Sequence, residues 1–177
     1  EARVLQIRSR SMIISRIAQS ENRPGAMNTL SVTLISSVNL THEAPSAHIT
    51  IFGLQGARAE NGPLQLAGAS ILHFDSGLSE TACDSKCGGA GMGRWDNVMK
   101  SLTLRITNEG LGFRAGVAYT FSFTIQNPWN PNLQQAPPVY VGLQIGTYQR
   151  RQQMTNQAGT PNGGLGTELS AAMYVEA

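Results

Sequence analysis

Residues Tyr119–Gln126 alternate without a fault between large apolar and polar side chains. Tyr119, Phe121, Phe123 and Ile125 fall on one side, and Thr120, Ser122, Thr124 and Gln126 on the other. A period of two places the four apolar side chains on one face of an extended strand. Aromatic and β-branched residues suit such a pleated, half-buried surface. Asn127-Pro128-Trp129-Asn130-Pro131 follows at once and stops the strand, because proline has no N–H for a ladder and restricts the residue before it. The stretch reads as the central strand of an all-β core.

Further strands of the same kind flank it. Leu30–Leu34 alternates and continues through Val38 and Leu40 beyond the Ser36-Ser37 break. His48–Phe52 is closed by Gly53, Leu64–Leu66 is a short strand, and residues 69–74 form another. Val98–Thr107 reads as one long strand with Leu102, Leu104 and Ile106 on a shared face. A strand through Val139, Val141, Leu143 and Ile145 follows the central one, and Glu168–Val175 closes the set. About eight strands with turn residues between them and no convincing helix predict an antiparallel sandwich. Two connections, 75–96 and 146–167, exceed the usual length, and long loops are commonly functional or disordered.

A chain of 177 residues, 41% hydrophobic, is long enough to fold around its own core without a metal. It has no apolar run of the length a membrane-spanning helix needs. It begins at Glu1 with neither a starting Met nor a signal sequence, which reads as a processed or partial chain. The positive charge is uneven: Arg3, Arg8, Arg10, Arg16 and Arg23 face only Glu1 and Glu21 in the first 25 residues, while acids slightly outnumber bases beyond. That stretch has no Lys and no interleaved aromatic residue, so no stacking platform for bases, and nucleic acid is not an expected partner. Its apolar clusters are Val4-Leu5-Gln6-Ile7 and Met12-Ile13-Ile14, with Ile17 beyond. Residues 1–17 are therefore expected as an extended strand arm, 18–27 as a linker and 28–177 as the β-domain. The arm has two placements, on a neighbouring copy or folded back on its own sandwich.

The runs Leu30–Leu34, Ile49–Gly56, Trp95–Ile106, Ala115–Asn127 and Pro137–Val141 together resemble a module repeated in large secreted or surface proteins of algae and other protists. The pattern is similar in its Thr-Ile beside Gly-Leu, its Trp before a Leu-rich strand, its Tyr-x-Phe-Ser-Phe run and the Asn-Pro that follows. The resemblance covers residues 28–145 and 169–175. It implies an immunoglobulin-like β-sandwich with an extracellular place in surface assemblies, including filaments, and brings no catalytic residues.

In such a setting Cys83 and Cys87, the only two cysteines, are expected to form a local disulfide, with free thiols as the alternative. A zinc site would want four ligands, which this neighbourhood does not offer, so no metal is expected. Gly88–Gly93 lacks the flanking strand and helix of a phosphate-binding loop and reads as a flexible connector, leaving no cofactor site. Asp75-Ser76-Gly77 with His42, His48 and His73 contains the residue types of a triad but nothing that fixes its geometry. No catalytic residue is therefore named, and the chain reads as a non-enzyme. Asn39-Leu40-Thr41 is an acceptor sequon for N-linked glycan at the end of a strand.

The reading that joins these features is a structural subunit that polymerises head to tail, its N-terminal strand adding to the sheet edge of a neighbour. Val4, Leu5, Ile7, Met12, Ile13, Ile14 and Ile17 are the expected interface anchors. The alternative is a carbohydrate-binding or adhesin module working through its long loops, where Trp129 and Tyr148 are the aromatic candidates.

Overall fold

The structure is a computed structural model that describes residues 10–42, 47–77, 89–107, 112–130 and 138–156. The expected closing strand Glu168–Val175 lies outside the described residues. The strands are β1 Met12–Gln19, β2 Met27–Ser36, β3 Ala47–Phe52, β4 Gly62–Ala67, β5 Phe74–Asp75, β6 Met92–Asp96, β7 Ser101–Ile106, β8 Tyr119–Gln126, β9 Tyr140–Ile145, β10 Tyr148–Gln153 and β11 Thr155–Asn156. A single 3-10 turn, Ile71–His73, precedes β5. Among the described residues there is no α-helix.

The sheet order is β10-β9-β3-β7-β6-β4-β8-β2-β1-β11, with β5 added to the end of β7. Every ladder is antiparallel except the short β1–β11 contact. Two passages join what would otherwise be separate sheets. Leu64 and Gln65 of β4 pair with β6, whereas Leu66 and Ala67 pair with β8. At the other end β10 pairs with β9, and the chain then crosses at the buried Met154 to pair β11 with β1. The result is an all-β, nearly closed, barrel-like sheet rather than two free sheets.

β8 holds the central place expected of it, paired along β2 on one side and with Leu66 and Ala67 on the other. Tyr119, Phe121, Phe123 and Ile125 are all buried. They meet Ile49, Ile51, Leu102, Leu104, Ile106, Val141 and Leu143 from the opposite wall in one core. Phe74 packs edge-on to Phe121 with ring centroids 4.9 Å apart, and Phe113 stacks on Tyr119 at 3.7 Å.

Two expected strands are re-cut. Val98–Lys100 form a turn ahead of β7, because the Asp96 carboxylate accepts the N–H groups of Val98 and Met99 at 2.8 and 2.9 Å. Within the expected loop 75–96, Met92–Asp96 is a strand that buries Trp95. Gly93 belongs to that strand because a Cβ there would lie 2.6 Å from Leu102 Cδ1 and 2.8 Å from Leu104 Cδ2. The expected connector thus ends in a core contact.

The largest correction concerns the N-terminus. Met12–Gln19 is not a free arm: it pairs with β2 of its own chain from Met12↔Ser36 to Gln19↔Leu30. The expected linker 18–27 is a built hairpin turn with its flanking strand ends. Gly25 N–H donates to Pro128 O at 3.1 Å, Asn127 N–H to Ala26 O at 2.8 Å, and the Asn127 amide to Glu21 O and Arg23 O. Gly25 has φ +69°, and a Cβ on it would lie 2.5 Å from the Trp129 ring, so the turn requires glycine. Residues 1–9 lie outside the described residues.

Glu21 locks the tip of this turn. Its carboxylate accepts Asn22 N–H at 2.9 Å, Arg23 N–H at 3.0 Å and the Arg23 guanidinium at 3.0 and 2.7 Å. Arg23, above all through its side-chain hydrogen bonds, holds the Glu21 pKa down from 4.5 to about 2. A lowered folded pKa means a contribution present above pH 4.5 and lost as pH falls through about 2. Acidification across that window is expected to loosen the turn, with the Asn22 and Arg23 amide resonances titrating together. Amide shifts that stay constant down to pH 2 would refute the lock.

Candidate functional site

Among the described residues the barrel is left partly open between β1 and β10. Parallel pairing there is limited to Arg16↔Thr155 and Ile17↔Asn156. Beside that contact, Thr155 Oγ1 donates to Ser15 O at 3.2 Å and Ser15 Oγ donates to Gln153 O at 3.4 Å. Further along, the strands splay. Tyr148 Oη reaches across to donate to Arg10 O, and the Arg10 guanidinium carbon lies 5.8 Å from the Tyr148 ring centroid. A tyrosine side chain bridges the opening where a ladder would place backbone on backbone. Among the described residues, the side of Met12–Ile14 away from β2 and the side of β10 away from β9 have no ladder partner.

A bulge marks the same stretch. The β1–β2 register shifts between Met12 and Ile14, leaving Ile13 as the extra residue, 58% exposed. Bulges bend a strand and blunt an edge. Met12 turns inward and is buried, and Ile17 packs against the core. Of the expected anchors, Met12 and Ile17 are thus occupied by the chain's own interior. Ile13 is exposed and Ile14 half-buried. Val4, Leu5 and Ile7 lie outside the described residues.

The other residues singled out in the sequence are scattered. Cys83 and Cys87 lie outside the described residues. Asn39 is exposed, its Oδ1 accepting Ala115 N–H at 2.8 Å, while Leu40 beside it is buried. Asp75 is committed to Arg105 at 2.8 Å through both carboxylate oxygens and to Gly77 N–H at 2.7 Å. His48 stands across the ladder from Arg105, so the guanidinium separates this imidazole from Asp75. Burial first, then the Arg105 charge, pushes the His48 pKa down. His73 sits edge-on to Tyr119 with centroids 4.8 Å apart, and His42 is exposed. Among the described residues, no three His, Cys, Asp or Glu side chains come together as a metal site would need. No helix among them is long and apolar enough to cross a membrane.

Sequence reasoning missed the hairpin that forms one side of the opening. Tyr148–Gln153 has no apolar alternation and reads as loop in the sequence. The available signal was Gly146-Thr147 directly after an alternating run, a two-residue hairpin turn with Gly146 at φ +59°. It also missed a cluster on the outer face, where the Arg151 guanidinium carbon lies 4.2 Å from the Phe52 centroid and 4.0 Å from the Tyr140 centroid. Compared with models of protein families and with curated protein sequences, the chain matches none.

Proposed function

We propose that this chain is a structural, immunoglobulin-like subunit of an extracellular assembly, joined head to tail with copies of itself. The donor is the segment ahead of Arg10, with Val4, Leu5 and Ile7 as its apolar side chains. The acceptor is the opening between β1 and β10 of the next copy. What supports the reading is that, among the described residues, these two strands carry unpaired outer edges in a nearly closed sheet. An added strand gains main-chain hydrogen bonds and side-chain burial together. Because donor and acceptor are different surfaces, each copy retains one of each, and the contact propagates as an open filament or closes as a ring. Asn39, exposed at the end of β2's extension, carries N-linked glycan in this reading, and the Cys83–Cys87 disulfide belongs with the same extracellular setting.

The test is sedimentation velocity of the full chain beside a variant lacking residues 1–9, over a range of concentrations. The full chain is expected to form a concentration-dependent series of oligomers, and the truncated chain to remain monomeric with an unchanged melting curve. Tyr148→Ala should alter the association of the full chain, since it removes the side chain that bridges the opening. A full chain that stays monomeric throughout, or a truncated chain that associates equally well, overturns the proposal.

A further inference from the structure

We infer that the outer face of β10-β9-β3-β7-β6 is a binding surface for an extended acidic polysaccharide, with Arg151 as its principal anchor. The inference stands apart from the assembly reading and uses a different surface. One row runs straight across the five strands through the registers Arg151↔Gly142, Gly142↔Thr50, Thr50↔Thr103 and Thr103↔Arg94. With strands about 4.8 Å apart, its two arginines are separated by roughly 19 Å, the reach of an oligomer and not of a single small anion. The threonine hydroxyls between them lie 3.4 Å apart.

Arg151 is exposed and set in place by the row's missing side chain. A Cβ on Gly142 would lie 3.2 Å from Phe52 Cε1, so a side chain there would press the Phe52 ring by a few tenths of an ångström. The Phe52 and Tyr140 rings, 5.7 Å apart and nearly parallel, then hold the guanidinium over both. A stacked guanidinium has lost much of its freedom before a ligand arrives, and its fork matches a carboxylate or sulfate bidentately. Among the described residues the ion pairs are Arg23–Glu21 and Arg105–Asp75, and neither involves Arg151. Arg105 is neutralised by Asp75, whereas Arg151 and Arg94, at the two ends of the row, are exposed and belong to neither ion pair, so the positive charge offered to a ligand lies at those two ends.

The chemistry around Arg151 favours sugar over protein. Exposed Gln144 and Gln149 flank it, and amides and hydroxyls match sugar hydroxyls. Of the exposed large apolar side chains, Ile13, Met27, Leu72, Val117 and Trp129 lie off these strands, and Val98 and Met99 sit in the turn joining β6 to β7. The row from Arg151 to Arg94 itself thus carries none of the exposed apolar anchors of a protein interface. The rings are covered by Arg151 and offer no open platform on which bases would stack.

Binding is tested by calorimetry of the full chain with polygalacturonate, dextran sulfate, uncharged dextran and single-stranded DNA in 0.15 M salt, the ionic strength at which nonspecific surface attraction is screened within about 8 Å. One or both acidic polysaccharides are expected to bind, the two arms separating carboxylate from sulfate recognition, and dextran is not. Arg151→Met should weaken binding about tenfold or more, the loss of one charge-assisted pair of hydrogen bonds. Arg151→Lys should recover only part of it, whereas Arg114→Met, an equal charge change elsewhere on the surface, should leave it intact. Absence of binding to both polyanions, equal weakening by Arg114→Met, full rescue by Arg151→Lys, or tighter binding of DNA would each overturn the inference.

Discussion

Phe121→Ala is expected to lower folding stability by about 3–5 kcal/mol, the range for removing a fully buried aromatic ring. Phe121 sits at the middle of β8, paired with Val32 of β2. Its ring meets Phe74 of β5 across the core at 4.9 Å, so the truncation removes a contact between the two walls as well as transfer free energy. Collapse of the surroundings cannot easily refill the space, because Phe113 and Tyr119 are already stacked on each other beside it. Ser122→Thr, on the outer face of the same strand, should change stability little. Urea denaturation orders the two variants, and a Ser122→Thr cost exceeding that of Phe121→Ala would mean that the faces of β8 are reversed.

Arg105→Met is expected to cost about 2–3 kcal/mol. Breaking a buried ion pair by removing one partner costs about 3–5 kcal/mol, and the lower figure reflects an Arg105 side chain 43% exposed against 9% for Asp75. The variant leaves the Asp75 carboxylate buried with the hydrogen bond from Gly77 N–H but without the guanidinium. The double variant Asp75→Asn, Arg105→Met should be less damaged than the sum of the two single variants, because the uncompensated charge is gone. His48 supplies an independent readout. Arg105 contributes to holding its pKa down while Asp75 raises it, so Arg105→Met should shift the His48 titration upward. A single variant costing under about 1 kcal/mol, or an unmoved His48 titration, would show that the pair does not act as a unit.

The contrast between these two predictions tracks what was legible in the chain itself. The β8 face is a local property: alternation at period two sorts Tyr119, Phe121, Phe123 and Ile125 onto one side whatever the strand later pairs with. The same holds for Leu102, Leu104 and Ile106, all buried as expected. The pairing of Asp75 with Arg105 has no local signature. It arises because β5 joins the ladder of β7 thirty residues away, a register set by the whole core.

The candidate surfaces were the least legible parts, for a physical reason. Tyr148–Gln153 lies at the open side of the barrel, where one flank has a ladder partner and the other has none. Such a strand is held by backbone pairing with β9 and needs no apolar alternation of its own, so periodicity is silent there. Arg151 and Tyr140 belong to the two arms of one hairpin, and the register of that hairpin against β3 brings in Phe52 from a distant part of the chain. The N-terminal segment illustrates the opposite error. Pro24, Gly25 and their polar neighbours have the composition of a linker and of a tight turn alike. What decides between them is the set of partners on Asn127 and Trp129, distant in sequence from the turn they hold, with Asn28 beside the turn bonded to Asn127.

By itself, then, the sequence determined the strand class, the buried face of the principal strands and the position of the central one, because each follows from side-chain alternation within a few residues. Tertiary structure decided that β1 folds back on β2, that β4 and the β10–β11 passage join the sheets into a nearly closed barrel, and where the opening and the arginine surface lie. Those outcomes depend on which backbone edges find partners at long range, and hydrogen-bonding capacity is the same for nearly every residue in the chain.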